Sequence, residues 1–198
     1  MEQETGAAFA RAFAEDAARL RRAAHLDLTE HDACGVGLVA TLDGTPRREV
    51  VQAGIAALKA VWHRGAVDAD GKTGDGAGIH IEIPRAFFAE VVERGGDRVQ
   101  PGRIAVGQVF LPKTDLGAQE RCRQICEQEV LAAGFRIYSW RQVPINVSVI
   151  GEKANATRPE IEQILIYDPS LRDEAMAERD LYVVRRRIEK QAIASQIP

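Results

Sequence analysis

The sequence predicts a mixed α+β domain. Apolar residues recur at helical spacing in some stretches, as with Val51, Ile55, Leu58 and Trp62, and alternate in others, as in "IHIEI" at 79–83. The alternating runs suit sheets with one covered face. Over 198 residues, 45% apolar against 28% charged supplies the core of one globular domain with an extension.

The elements follow in order. Residues 4–24 are alanine-rich, with Phe9, Phe13 and Leu20 near helical spacing, and read as a short amphipathic helix. Residues 25–33 are polar and irregular. "GVGLVATL" at 35–42 is expected as a buried strand closed by an Asp43-Gly44 turn. Pro46 is expected to open the helix that carries Val51 to Trp62. Residues 63–78 hold five glycines without periodicity and form a loop. The strand "IHIEI" and a short helix after Pro84 come next. "RIAVGQVFLP" at 103–112 is a strand and 115–133 a helix. "FRIYSWRQV" and "IEQILIYDP" are strands, and 173–194 is a charged terminal helix.

Charge and cysteine usage remove several function classes. A net charge of -3 offers no basic surface for nucleic acid or an anionic membrane. No apolar run approaches the ~20 residues of a membrane helix. Glu2, Glu4, Glu15 and Asp16 fit neither a secretory nor a mitochondrial signal. Three cysteines, an odd number, make no disulfide framework and suit a reducing compartment. The expected location is cytoplasmic.

Cys122 and Cys126 share the apolar stripe of a helix with Ala118, Ile125, Val130 and Ala133, without the CxxC or histidine pair of a metal site. They are expected to pack as small hydrophobes. "GAVDADGKT" falls short of a phosphate loop, because five residues separate Gly65 from Gly71 and a strand is expected to follow. "DADGKTGD" falls short of a calcium loop, because Lys72 takes a ligand position and Thr73 the required glycine. No metal site is expected. His63, Arg64 and Gly65 make a plausible helix end, a cation and then a glycine stop. That leaves the long polar loop unexplained, and long ordered loops are usually functional.

Cys34 poses the sharper question, since Ala33, Gly35 and Gly37 keep its surroundings small. By composition alone, a buried thiol at the start of a strand is the simpler reading. A papain-like cysteine opens a helix rather than a strand. A different device also fits. Cleavage between Ala33 and Cys34 would give the thiol a free α-amine, with a reference pKa of about 7.7–8.0, as its own base.

The stretch "CGVGLVATLDGTPRREVVQAGIAALKAVWHRGAVDADGKTGDGAGIHIEIPRAFF" resembles the start of the amidotransferase domain of the glutamate synthase large subunit. That domain is a class II glutamine amidotransferase within the N-terminal-nucleophile hydrolases. "YSWRQVPINVSVIGEKA" and "ERDLYVVRRRIEK" are similar to the family too, so the resemblance covers about residues 31–191. It implies a four-layer αββα sandwich of two antiparallel sheets between helices. Residues 1–33 resemble the propeptide and 34–198 the front part of the domain. Cys34 is then the nucleophile, exposed by processing between Ala33 and Cys34. Arg64 and Gly65 match an arginine-glycine motif beside the nucleophile. Gly74, Asp75 and Gly76, within "TGDGAG", match a second loop that supports the site.

The implied chemistry is attack of the Cys34 thiolate on the glutamine side-chain amide, release of ammonia, and hydrolysis of a γ-glutamyl thioester. Ammonia then passes to synthase domains that make glutamate from 2-oxoglutarate. FMN and an iron–sulfur cluster are expected only in those partner domains, on another chain, with no cofactor in this one. The family's second arginine motif and its Asn-Gly oxyanion hole do not follow "YVVRRRIEK", so the chain is expected to be a truncated or split domain. The alternative is a catalytically inactive fragment that serves as a scaffold or partner-binding subunit.

Overall fold

The computed structural model describes residues 35–61, 65–100 and 104–197. The expected leader helix at 4–24 lies outside them. The chain divides into two units, residues 1–64 and 65–198.

In the first unit the expected turn forms. Gly44 takes a left-handed φ of +66°, and the Thr45 amide donates to Asp43 Oδ1 over 3.1 Å. Helix α1 spans Arg48–Ala60, starting two residues after Pro46. Val51, Ile55 and Leu58 share its half-buried face as the spacing predicts, while Trp62 lies outside the described residues. The expected strand at 35–42 does not form. Val36 and Leu38 are exposed and the segment joins no ladder among the described residues. Alternation gives a segment an apolar face, but a strand also needs a neighbour for its backbone groups.

The second unit is built on a three-stranded antiparallel sheet of β1 (Ile104–Leu111), β2 (Arg136–Gln142) and β3 (Glu160–Tyr167), ordered β1-β3-β2. Gly107 faces Ile164 across the β1–β3 ladder, and a Cβ there would come within 2.8 Å of the Ile164 side chain. Helices α2 (Arg85–Arg94), α3 (Leu116–Ala132), α4 (Glu152–Thr157) and α5 (Glu174–Ala194) complete the unit. The strand expected at 79–83 is absent. Ile79 and Ile81 are exposed, and only Ile83 packs, against the cluster around Phe88.

Both faces of the middle strand are covered, where the alternation led us to expect one. Ile164 and Ile166 pack with Cys126 and Val130 of α3 and Val184 of α5. Leu165, on the opposite face, packs with Phe88 and Val92 of α2 and with Ile104. Three consecutive buried residues therefore mark a central strand between two helical layers.

Local chemistry fixes the helix ends. Asp115 caps α3 by accepting from the Ala118 amide, and Asp173 caps α5 by accepting from Met176. After α3, Gly134 takes φ +85° and donates to the Leu131 carbonyl, while Phe135 donates to Val130. This is a Schellman stop, and it drops Phe135 into the core beside Val130 at the start of β2. Gly96 ends α2 in the same way.

Candidate functional site

Cys34, Ala33 and Arg64 lie outside the described residues. Gly65 lies in a bend at the start of the loop, and Gly74, Asp75 and Gly76 belong to a small hairpin within it. Val67 and Gly74 bridge antiparallel, and the Asp68 amide donates to the Thr73 carbonyl over 2.7 Å. Gly71 turns the tip with φ +68°, and its amide donates to the Asp68 carbonyl.

Asp70 knits the tip together. Its Oδ1 accepts from the Lys72 and Thr73 amides at 2.9 and 2.7 Å, and its Oδ2 accepts from the Thr73 hydroxyl. The Thr73 hydroxyl, followed by the two amides, holds the Asp70 carboxyl well below the usual carboxylate range. Three donors satisfy this carboxylate, which explains why the loop resembles a cation site in sequence without being arranged as one. Among the described residues no group of histidine, cysteine, aspartate or glutamate side chains is placed to hold a metal.

Asp75 closes the base of the hairpin. Its Oδ2 accepts from the Ala66 amide over 2.7 Å, while Oδ1 takes no hydrogen bond from the described residues. A Cβ on Gly74 would stand 3.3 Å from the Ala66 carbonyl, and Gly76 takes φ +88°. Both glycines flanking Asp75 thus have a backbone reason to be glycine. The result is an exposed carboxylate held rigidly at a loop base, able to accept a hydrogen bond from an ammonium or amide group.

The hairpin is fastened to the start of α4, which the sequence did not announce. Lys153 Nζ lies 2.7 and 2.8 Å from the two carboxylate oxygens of Asp68, and the Ala154 amide donates to Thr73 Oγ1 over 3.4 Å. A Cβ on Gly151 would come within 2.1 Å of that same oxygen. The Asp70-Gly-Lys-Thr73 spacing was a legible turn signal. Lys153 and Gly151 carried none, because their partners are remote in sequence.

Cys126 sits in the core at 3% exposure, and burial pushes its thiol up to about 11. Cys122 is half-buried, and burial raises its thiol too. Cys126 packs with Val130 and Ile164 on the inner stripe of α3 as expected.

Comparison with known proteins places the chain in a family. The glutamine amidotransferases class-II match residues 34–197. The chain belongs to that family. It is 58% identical over 197 residues to the glutamate synthase [NADPH] large chain of Azospirillum brasilense, covering 99% of this chain and 13% of that protein. It is 38% identical to the ferredoxin-dependent glutamate synthase 2 of Synechocystis over 162 residues, covering 81% of this chain and 10% of the relative. The glutamate synthase [NADPH] large chain of Bacillus subtilis is likewise 38% identical over 164 residues, with the same coverage. The chain therefore spans about an eighth or less of the length of these relatives. No described helix is long and apolar enough to cross a membrane.

Proposed function

We propose that this chain is the front part of a glutaminase domain of the glutamate synthase type, with Cys34 as an N-terminal nucleophile. The observation that carries the reading is the family match, which begins on Cys34 and runs through the hairpin that carries Asp75. The four-layer αββα arrangement belongs to the same proposal; α3 and α5 on the antiparallel sheet would supply one helix–sheet pair of it, while the Leu165 face carries α2.

Removal of residues 1–33 frees the Cys34 α-amine, which takes the thiol proton. Sγ then attacks the side-chain amide carbon of glutamine, and the amine returns the proton to the departing nitrogen. Ammonia leaves, a γ-glutamyl thioester remains, and water releases glutamate. By the family resemblance, Arg64 and Gly65 belong beside the nucleophile, and Gly74, Asp75 and Gly76 belong to the loop that supports the site.

The ammonia acceptor is a synthase domain or subunit beyond residues 1–198. FMN and iron–sulfur chemistry are assigned to that acceptor as part of the same proposal.

N-terminal sequencing of the protein from its host, followed by labelling with a diazo-ketone analogue of glutamine, tests the proposal. The expected result is a mature chain beginning at Cys34 that carries the label on Cys34. An active protein that begins at Met1 would rule out the free-amine mechanism.

A further inference from the structure

We propose that Gly151 and Lys153 are positioning residues for glutamine, because they clasp the hairpin that carries Asp75. The inference rests on the glutaminase reading above and adds to it two residues outside the loop itself.

The contacts between α4 and the hairpin converge on its tip, at Asp68, Asp70 and Thr73. Lys153 grips both oxygens of Asp68, and the Ala154 amide reaches Thr73 Oγ1. Thr73 Oγ1 in turn donates to Asp70, whose other oxygen holds the Lys72 and Thr73 amides. One hydroxyl thus joins the turn that shapes the tip to the helix that anchors it.

Gly151 makes this approach possible. An added Cβ would lie 2.1 Å from Thr73 Oγ1, 2.4 Å from Asp70 Oδ2 and 2.6 Å from the Thr73 backbone nitrogen. The last of these is main chain, so a side-chain rotation cannot relieve it. Any larger residue must push the hairpin off α4. Gly151 also has an ordinary extended backbone, φ -70° and ψ 162°, which every residue can adopt. Space, and not backbone conformation, demands glycine here.

The hairpin transmits the clasp to its base. Thr73 is bonded to Asp68, Val67 bridges Gly74, and Asp75 follows directly with its link to the Ala66 amide. The tip and the base are two rungs of one short ribbon. An isolated ribbon of this size is marginal in water, so an external anchor is what holds it in one place. Misplacing a binding group by about 1 Å can cost on the order of 10²-fold. The clasp therefore acts on how well glutamine is held, while the chemistry at the thiol is left to Cys34.

Two readouts on the protein as its host makes it decide the matter. The first is hydrogen exchange at the Ala66, Lys72 and Thr73 amides. The second is inactivation by the diazo-ketone analogue, resolved into its half-saturation concentration and its limiting rate. Gly151→Ala and Lys153→Ala should speed exchange at all three amides. Both should raise the half-saturation concentration by about tenfold, with the limiting rate little changed. Lys153→Arg should restore the wild-type values, and Lys190→Ala, at an exposed position of α5, should not differ from wild type. Lys153 is exposed, so its variants test the clasp even where Gly151→Ala fails to fold. Unchanged exchange in the folded variants overturns the clasp. Faster exchange with unchanged half-saturation makes the contact structural only and overturns the positioning role. A wild-type protein that takes no label while its exchange responds overturns the glutaminase reading and leaves the clasp as a fact of the fold.

Discussion

The Ala66 amide and the Asp75 carboxylate, 2.7 Å apart, tie the two ends of the hairpin together with only one of the two carboxylate oxygens. That division of labour separates the structural from the chemical role of Asp75. In Asp75→Asn the side-chain carbonyl still accepts from Ala66, but the charge is gone. In Asp75→Ala both are lost. Amide exchange at Ala66 should stay slow in Asp75→Asn and speed up in Asp75→Ala. Labelling by the glutamine analogue should fall in both, by about tenfold or more, since a hydrogen bond to a charged group contributes roughly 1.5–3 kcal/mol. Undiminished labelling in Asp75→Asn would show that the charge plays no part in holding substrate.

Cys122 and Cys126 should separate cleanly by reactivity. Only a thiolate attacks, and burial pushes the Cys126 thiol up to about 11. A raised pKa means the protonated, inert form persists through neutral and mildly alkaline pH. Burial raises Cys122 in the same direction. Iodoacetamide titrated from pH 6 to 9 should therefore leave Cys126 unmodified in the folded chain and react slowly with Cys122. Unfolding in urea should make both reactive. Peptide mapping that finds Cys126 modified at pH 8 in the folded protein would contradict its place in the core.

Much of this fold was legible because its signals are local. Asp115 and Asp173 mark helix starts, Gly134 marks a stop, and the apolar stripe of α3 fixes which side meets the sheet. The runs at 35–42, read as a buried strand, and 79–83, read from its alternation, were misread, because an apolar pattern does not report whether a partner strand is there to complete a ladder. The middle strand was misread in a milder way. Ile164, Leu165 and Ile166 are all buried, and only knowledge of α2 on the far face explains the central residue. In the site, Gly74, Asp75 and Gly76 stood out as a glycine-rich loop. Gly151 and Lys153 did not, since a contact with a distant loop leaves no periodicity to read.

Arg123 of α3 and Glu162 of β3 give a test of how helix and sheet are joined. Two parallel bonds, Nε to Oε2 at 2.9 Å and Nη2 to Oε1 at 2.7 Å, make a fork-on-fork pair with both side chains largely covered. Glu162→Gln keeps the shape but loses the charge, and should lower stability by about 1–2 kcal/mol. Gly107→Val should be at least as damaging, about 1–3 kcal/mol, because its side chain must displace Ile164 from the core. Urea unfolding of each variant supplies the measurement. A Glu162→Gln protein as stable as wild type would reduce the pair to an incidental surface contact.

Asp168, just after β3, should give the fold a measurable acid sensitivity. Burial pulls its pKa upward, but the Ser170 hydroxyl and amide, the Arg172 amide and the Arg172 guanidinium outweigh it. The carboxyl is held below its usual range. The unfolded chain has the ordinary value, about 3.9, so between the two pKa values it binds more protons than the native chain. Stability from this group is therefore complete above about pH 5 and is lost as the pH falls through the folded value. Asp168→Asn removes that dependence and should cost about 1–2 kcal/mol at pH 7, and progressively less as the pH falls. Asp70 is depressed as well, but it is common to both proteins, so the difference between their curves isolates Asp168. Urea midpoints from pH 2 to 7 should lie farthest apart at pH 7 and draw together as the pH falls. Parallel curves across that range would mean that Asp168 gains nothing from its ionised form in the folded state.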